Sequence, residues 1–577
     1  MQDQRNLITA VALAAAIFLG FQYFFPPPKP LAPPVEQTTA AAAPAVAPGP
    51  DGVPSPVPAA VPDAAPVAHG QTLAERSKLI AAGKRVRIDS ARVHGSINLV
   101  GARFDDVTLA DYRLTTEPGS SDIVLLSPLG TAEPYFADFG WTSAGNSLKL
   151  PGPDTIWTAD RTVLSPDQPL TLSWDNGEGL KFQRVITLDK DYMFRVVDRV
   201  SNSGKAGVTL FPWARIQRLG NMKVADEFIL HEGLVGVLGG RLKEHKYTDI
   251  KDDTHISEAS TGGWIGFTDK YWLTAIVPPQ DVAFTASFNH AIAASGDRYQ
   301  VDYLKPGLEL GAGASVETEG RLFAGAKEVH LLDRYASELG VAKFDLAIDF
   351  GWFYFMTKPM FLIIDVFNKV LGNFGLAILL LTVLIKGIMY PLANKSYESM
   401  SKMKMLSPKM TEIRERFKDD RARQQQETME LYKREKVNPL AGCLPIVVQI
   451  PVFFALYKVL FVSIEMRHAP FFGWIHDLAA PDPTHILNLF GLIPWTPPGF
   501  LGIGVWPLIM GATMFMQQRM NPPPPDPIQA KVFMFMPIIF TFMLATFPAG
   551  LVIYWTWNNL LSIAQQWLIM RRMGVKI

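Results

Sequence analysis

The chain has 577 residues, with 54 Lys and Arg against 54 Asp and Glu, and 48% of it is hydrophobic. That length exceeds one ordinary domain, and the balanced charge excludes a nucleic-acid binder held by phosphate contacts. The one cysteine, Cys443, excludes an intrachain disulfide framework and a cysteine-based zinc site, and reads as a small packing residue at a helix start.

Residues 7–25 run for nineteen positions without a charge, long enough to span a bilayer. They end in Phe21-Gln22-Tyr23-Phe24-Phe25, an aromatic interface belt, with no small-residue cleavage site directly after. Residues 1–25 therefore read as an uncleaved signal anchor rather than a cleaved signal peptide. Residues 26–66 hold 14 prolines and only four charged residues, so 26–69 is an extended linker without a core.

Residues 70–343 change character. Short alternating runs recur, such as Val93–Leu99, residues 170–174, 180–188 and 192–200, with the turn signal Asp175-Asn176-Gly177 among them. Strands at this spacing predict an all-β sandwich. Residues 344–372 mix Phe355, Met360, Ile363, Ile364 and Phe367 with Asp345, Asp349, Lys358, Asp365 and Lys369, the pattern of an amphipathic helix lying on a membrane surface.

Five apolar segments follow, at 373–392, 440–463, 501–518, 531–547 and 549–570. With the first span they predict a multi-pass α-helical membrane protein of six spans. The loop 393–439 carries 12 basic and eight acidic residues, and two charged helices are expected in it, at 396–418 and 421–436. Loop 464–500 has Arg467 as its one basic residue, and the tail 571–577 is basic. Positive charge marks the cytoplasmic side, so the loop and both termini face the cytoplasm and the β domain faces the periplasm.

Lys386 interrupts the apolar run Leu376–Ala393. It is either a lysine snorkelling to the inner interface or a charge facing a wet cavity. The other spans favour the cavity. Thr382 lies one helical turn before Lys386, Gln449, Gln517, Gln518, Asn558, Asn559, Gln565 and Gln566 sit in the later spans, and no acid lies in them to pair with the lysine. Interhelical hydrogen bonding is the competing role for these amides. Met400, Met403, Met405, Met410 and Met429 make the 393–439 loop rich in methionine, which suits either an adaptable surface for apolar clients or an ordinary solvated hairpin.

Several ordered motifs resemble the YidC family of membrane insertases: Lys386–Leu392, Lys436–Pro445, Trp474–Leu478 and Phe547–Leu551. The large β domain resembles that of the Gram-negative members, and by resemblance it is a super-sandwich. The resemblance implies a five-helix core around a hydrophilic groove open to cytoplasm and lipid. It places Lys386 (where the family most familiarly has arginine), Thr382, Tyr554 and Trp555 at that groove, and the span amides Gln449, Gln518 and Asn558 are expected to line it with them. Ile450, Phe453 and Met543 would form a slide for client helices. It further implies nascent membrane proteins, the lipid bilayer, the Sec translocon and the ribosome as partners, and the bacterial inner membrane as location.

Lysine keeps the charge but lacks the planar fork of arginine, so bidentate recognition of a client carboxylate is not expected. No GxxxxGK[ST] loop occurs, so neither nucleotide nor any other cofactor is expected, and no catalytic residue or metal site is assigned. Two rivals are a small-solute transporter, which should show internal repeats, and a membrane-tethered carbohydrate-binding protein or sugar enzyme, whose nearest acid-base pair is His231 with Glu232. The stretch Asn488–Trp506 is longer than the family pattern.

Overall fold

The computed structural model describes residues 73–574 apart from 145–147, 223–229, 294–295, 352, 419, 436, 438–443, 492, 494, 496–501 and 522–526. The expected signal anchor, the linker and Cys443 lie outside the described residues.

After a short helix α1 (Leu73–Ala82), alternating sequences build two sheets, of 11 and nine strands among the described residues. Strand Leu180–Leu188 shows why. Leu180, Phe182, Ile186 and Leu188 are buried while Lys181 is exposed, because successive side chains leave opposite faces. It pairs antiparallel with Leu170–Asp175 and with Met193–Asn202. The Asp175-Asn176-Gly177 turn forms as the sequence predicts. The Asn176 side chain accepts from the amides of Glu178 (2.7 Å) and Leu180 (2.9 Å), and Gly177 takes φ +74°.

The sandwich core contains an ion pair. Arg184 and Asp198 face each other across neighbouring strands at 2.7 Å, both buried. The same guanidinium donates to the carbonyl of Phe139 in the opposite sheet (2.8 Å), so it ties the two layers together. Lys305 sits nearby, and burial pushes its amine down to about 8. A buried charge that loses its partner is far more costly than the pair itself.

The domain ends in α2 (Val329–Glu338), a 3-10 turn at Phe344–Ala347 and α3 (Tyr354–Leu371). The amphipathic helix is therefore shorter than the expected 344–372. Asp345 and Asp349 precede it and form links: Asp345 accepts from Lys358 (3.1 Å), and Asp349 from Lys458 (2.8 Å). On α3, Met360, Phe361 and Ile364 pack inward while Phe355, Leu362, Val366 and Val370 stay exposed.

Gly372 ends α3 in the left-handed region (φ +67°), and Asn373 caps the next helix by accepting from Leu376 N (3.0 Å). That helix, α4 (Phe374–Met405), is the one described helix long and apolar enough to cross a membrane. It continues past the expected end of the span near 392. Its break falls at Leu406, and α5 (Ser407–Arg416) starts with Pro408 in its first turn. Residues 396–418 are thus not one helix. The second arm, α6 (Arg421–Arg434), lies where it is expected, and it packs back through Leu431 and Tyr432 onto Leu406 and Met410.

The remaining helices are α7 (Leu444–Val462), α8 (Val505–Met520), α9 (Pro527–Leu544) and α10 (Ala549–Arg572). Small residues set their spacing: a Cβ on Gly511 of α8 would fall 2.1 Å from Thr541 Oγ1 of α9. The outer end of α7 is clamped to the β domain. Glu465 accepts from Val329 N at the start of α2 (2.9 Å), and burial pushes its carboxyl up to about 7. Arg467 donates to the carbonyls of Arg113 (2.6 Å) and Leu114 (3.1 Å).

Asp198→Ala should strip Arg184 of its partner and destabilise the β domain by about 3–5 kcal/mol. Denaturant unfolding of the whole protein in detergent, followed by near-UV circular dichroism, checks this. A change below about 1 kcal/mol would mean that the pair is solvated or replaceable.

Candidate functional site

Helical spacing brings two stripes face to face. On α4, Thr382, Lys386, Met389, Ala393 and Tyr397 recur every three to four residues. On α10, Tyr554, Asn558 and Ser562 recur every four. With Ile385, Leu392, and Gln449 and Val452 of α7, most of these residues line one cavity of about 510 Å³, counting its open side.

Lys386 Nζ donates to Ser562 Oγ at 2.7 Å. Ser562 in turn donates to the carbonyl of Asn558 (2.8 Å) and also meets Tyr397. Among the described residues no carboxylate pairs with Lys386. Gln449 and Tyr554 hydrogen-bond across the same cavity. Thr382 lines it too, although its hydroxyl is turned back to Ile378 O (2.8 Å). The walls thus offer one cation, a carboxamide on each of two helices and two phenols, over a floor of aliphatic side chains.

Five of the residues singled out from sequence meet here: Lys386, Thr382, Gln449, Asn558 and Tyr554. Gln518 and Trp555 are not among the residues lining the cavity. Gln518 sits in the last turn of α8, where its carbonyl accepts from Asn521 N (3.1 Å). The Trp555 ring packs edge-on against Phe453 (4.7 Å) and near Phe540 (5.8 Å), joining α10 to α7 and α9. Ile450 and Met543 are about half exposed on the outside of the bundle. Asn559 and Gln566 serve as interhelical links, to Thr513 (3.2 Å) and Asn521 (3.1 Å). Ser562 and Tyr397 had drawn no attention; the four-residue interval from Tyr554 through Asn558 to Ser562 was the signal for the serine.

The sugar-enzyme rival finds no support. The two groups are occupied separately: His231 Nε2 lies 3.0 Å from Leu234 O, and Glu232 accepts from Lys270 N (2.7 Å). Burial lowers the basicity of His231 and raises the pKa of Glu232.

Comparison with known proteins decides the family. Residues 85–363 match the YidC periplasmic domain, and residues 366–576 match the 60Kd inner membrane protein family. The membrane protein insertase YidC of Methylorubrum extorquens (strain PA1) is 52% identical over 593 residues, covering 100% of this chain and 96% of its own. The chain belongs to the YidC family. The YidC of Agrobacterium fabrum (strain C58 / ATCC 33970) is 49% identical over 594 residues, covering 100% of this chain and 97% of its own. A crystal structure of an active YidC insertase with its first transmembrane domain resolved is similar at TM-score 0.36 and 16% identity, covering 87% of this chain and 94% of that one. YidC chains of this type are inner-membrane proteins with a periplasmic domain, which assigns the two-sheet sandwich to the periplasm.

Lys386→Met should raise the thermal midpoint of the purified protein, by a gain of about 1 kcal/mol, because it removes an unpaired charge at little change in volume. Thermal unfolding in detergent reads the shift. A lowered midpoint would mean that the ammonium holds α4 to α10.

Proposed function

We propose that the protein is a membrane insertase that passes polar segments of client proteins through the α4–α7–α10 cavity and releases their apolar helices into lipid. The observation that carries this reading is the cation Lys386, held within a largely apolar helical bundle against hydroxyl and amide groups and, among the described residues, no carboxylate. Such a charge favours water and acidic or polar visitors around it. A client tail that enters hydrocarbon bare leaves its polar groups unpaired at a cost of several kcal/mol each. A hydrated groove lowers that barrier by supplying partners partway across. The client helix then moves sideways past Ile450, Phe453 and Met543, because lipid accepts its apolar surface.

In this reading α4, α7, α8, α9 and α10 are the five core spans and residues 1–25 form a sixth. The hairpin α5–α6 and both termini face the cytoplasm, as the 12 basic residues of loop 393–439 support. Helix α3 lies along the outer interface with Phe355, Leu362, Val366 and Val370 toward lipid. Gln518 and Trp555 act around the groove rather than in its wall. The protein works on nascent membrane proteins alone or beside the Sec translocon, and the basic hairpin meets the ribosome. No cofactor takes part. Client hydrophobicity and the membrane potential supply the drive.

The test is insertion of a small two-span client into liposomes containing the purified protein, scored by protease protection. Wild type should protect the client where empty liposomes do not. Lys386→Ala should reduce protection most for clients with acidic tails. Equal protection in empty and loaded liposomes, across several clients, would contradict autonomous insertion.

A further inference from the structure

The stretch between α7 and α8 finds no use in the groove. Residues 483–518 contain no Asp, Glu, Lys or Arg. Within them the 3-10 turn Ile486–Gly491 and the residues just after it hold Leu487, Leu489, Ile493 and Trp495 outward, each 44–52% exposed. Single exposed apolar residues are ordinary on a soluble surface, but four in nine positions without a charge are not.

Several polar atoms of the same segment are paired within it. Ile493 N donates to Asn488 O (3.0 Å), Trp495 N to Ile493 O (2.7 Å), and the Asn488 side chain to Trp495 O (3.3 Å). The base is fastened to the first turn of α8. Ile486 N donates to Ile503 O (3.2 Å), Val505 N to Thr484 Oγ1 (3.0 Å) and Trp506 N to Asp482 Oδ2 (2.9 Å). Asp482 also receives Trp474 Nε1 (3.1 Å), so a second part-exposed indole is held to the same base. Among the described residues, backbone groups paired within the protein beside apolar side chains turned out are the arrangement that hydrocarbon demands and water does not. Tryptophans gather at the boundary between the two media.

We propose that this segment is a wedge lodged in the headgroup–acyl boundary of the outer leaflet, anchoring the periplasmic end of α8 to lipid. The occupant of the apolar face is the bilayer itself. The face is hydrogen-bonded to the end of a helix proposed to span that bilayer, and it carries no charge for a polar partner to recognise. The inference rests on the orientation given under the proposed function.

The test uses the whole protein in phosphatidylethanolamine–phosphatidylglycerol vesicles. In a Cys443→Ser background, Leu487→Cys and Ile493→Cys are each labelled with an environment-sensitive fluorophore. Ile292→Cys is the water-exposed control; this residue is 84% exposed at a hairpin of the β domain. At 487 and 493 the emission should be blue-shifted relative to 292, quenched by lipids brominated high on the acyl chain, and shielded from aqueous iodide. Iodide quenching equal to that at 292, with no bromolipid quenching, would overturn the wedge. So would shielding that develops only when a client protein is added, which would make the face a protein-docking surface. Client insertion is scored in the same vesicles. Insertion retained without lipid contact sinks the wedge alone, whereas insertion lost in the unlabelled wild type counts against the proposed function.

Discussion

An ammonium inside an apolar helical bundle, with no carboxylate beside it, must be solvated by water or by neutral dipoles. Among the described residues Lys386 is held under that constraint, and much of the membrane half follows from it. The facing helices supply hydroxyls and amides where a soluble core would supply leucine. Ser562 offers the nearest lone pair, its own proton committed to the Asn558 carbonyl. On the proposed reading, neutral partners suit a site that exchanges them for a client. A resident carboxylate would satisfy the lysine permanently and compete with acidic tails.

The rest of the fold holds this cavity open without filling it. Gly511 lets α8 approach α9, and Asn559 and Gln566 tie the α8 end of the chain to α10, so the wall behind the cavity is built from hydrogen bonds as well as packing. The β domain braces the outer end. Lys458 to Asp349, Glu465 to the start of α2 and Arg467 to the loop after Arg113 fix α7 against a sandwich whose layers are joined by Arg184. The far end of α4 packs instead on α10, through Tyr397 and Met400 against Ile569, before the chain breaks at Leu406 into the α5–α6 hairpin.

Much of this was legible in the sequence, for physical reasons that differ by element. The strand Leu180–Leu188 was readable to the residue because its alternation and its Asn-Gly turn are both local. The break at Leu406 was not, because a proline in the first turn of a helix looks the same as one that ends the helix before it. The amphipathic helix was overextended at its start because Asp345 and Asp349 fit its polar face, while their actual use is to reach Lys358 and Lys458 from ahead of α3, Asp345 from the 3-10 turn. At the site, a lone lysine in an apolar run announced itself. Trp555 was drawn into the groove by motif position and Gln518 by being an amide in a late span; the i, i+4 stripe of α10 passes through Tyr554, Asn558 and Ser562 instead. A serine among amides carries no compositional signal, so only that spacing could have found it.

The central claim is that the space around Lys386 is wet and reached from the cytoplasm. The most direct measurement is alkylation of Lys386→Cys, in a Cys443→Ser background, by a membrane-impermeant maleimide applied separately to right-side-out and inverted membrane vesicles. The account predicts labelling in inverted vesicles and protection in right-side-out ones. A cysteine that resists the reagent from both sides, while Ile292→Cys labels freely from the periplasmic side, would show a dry lysine and contradict the groove.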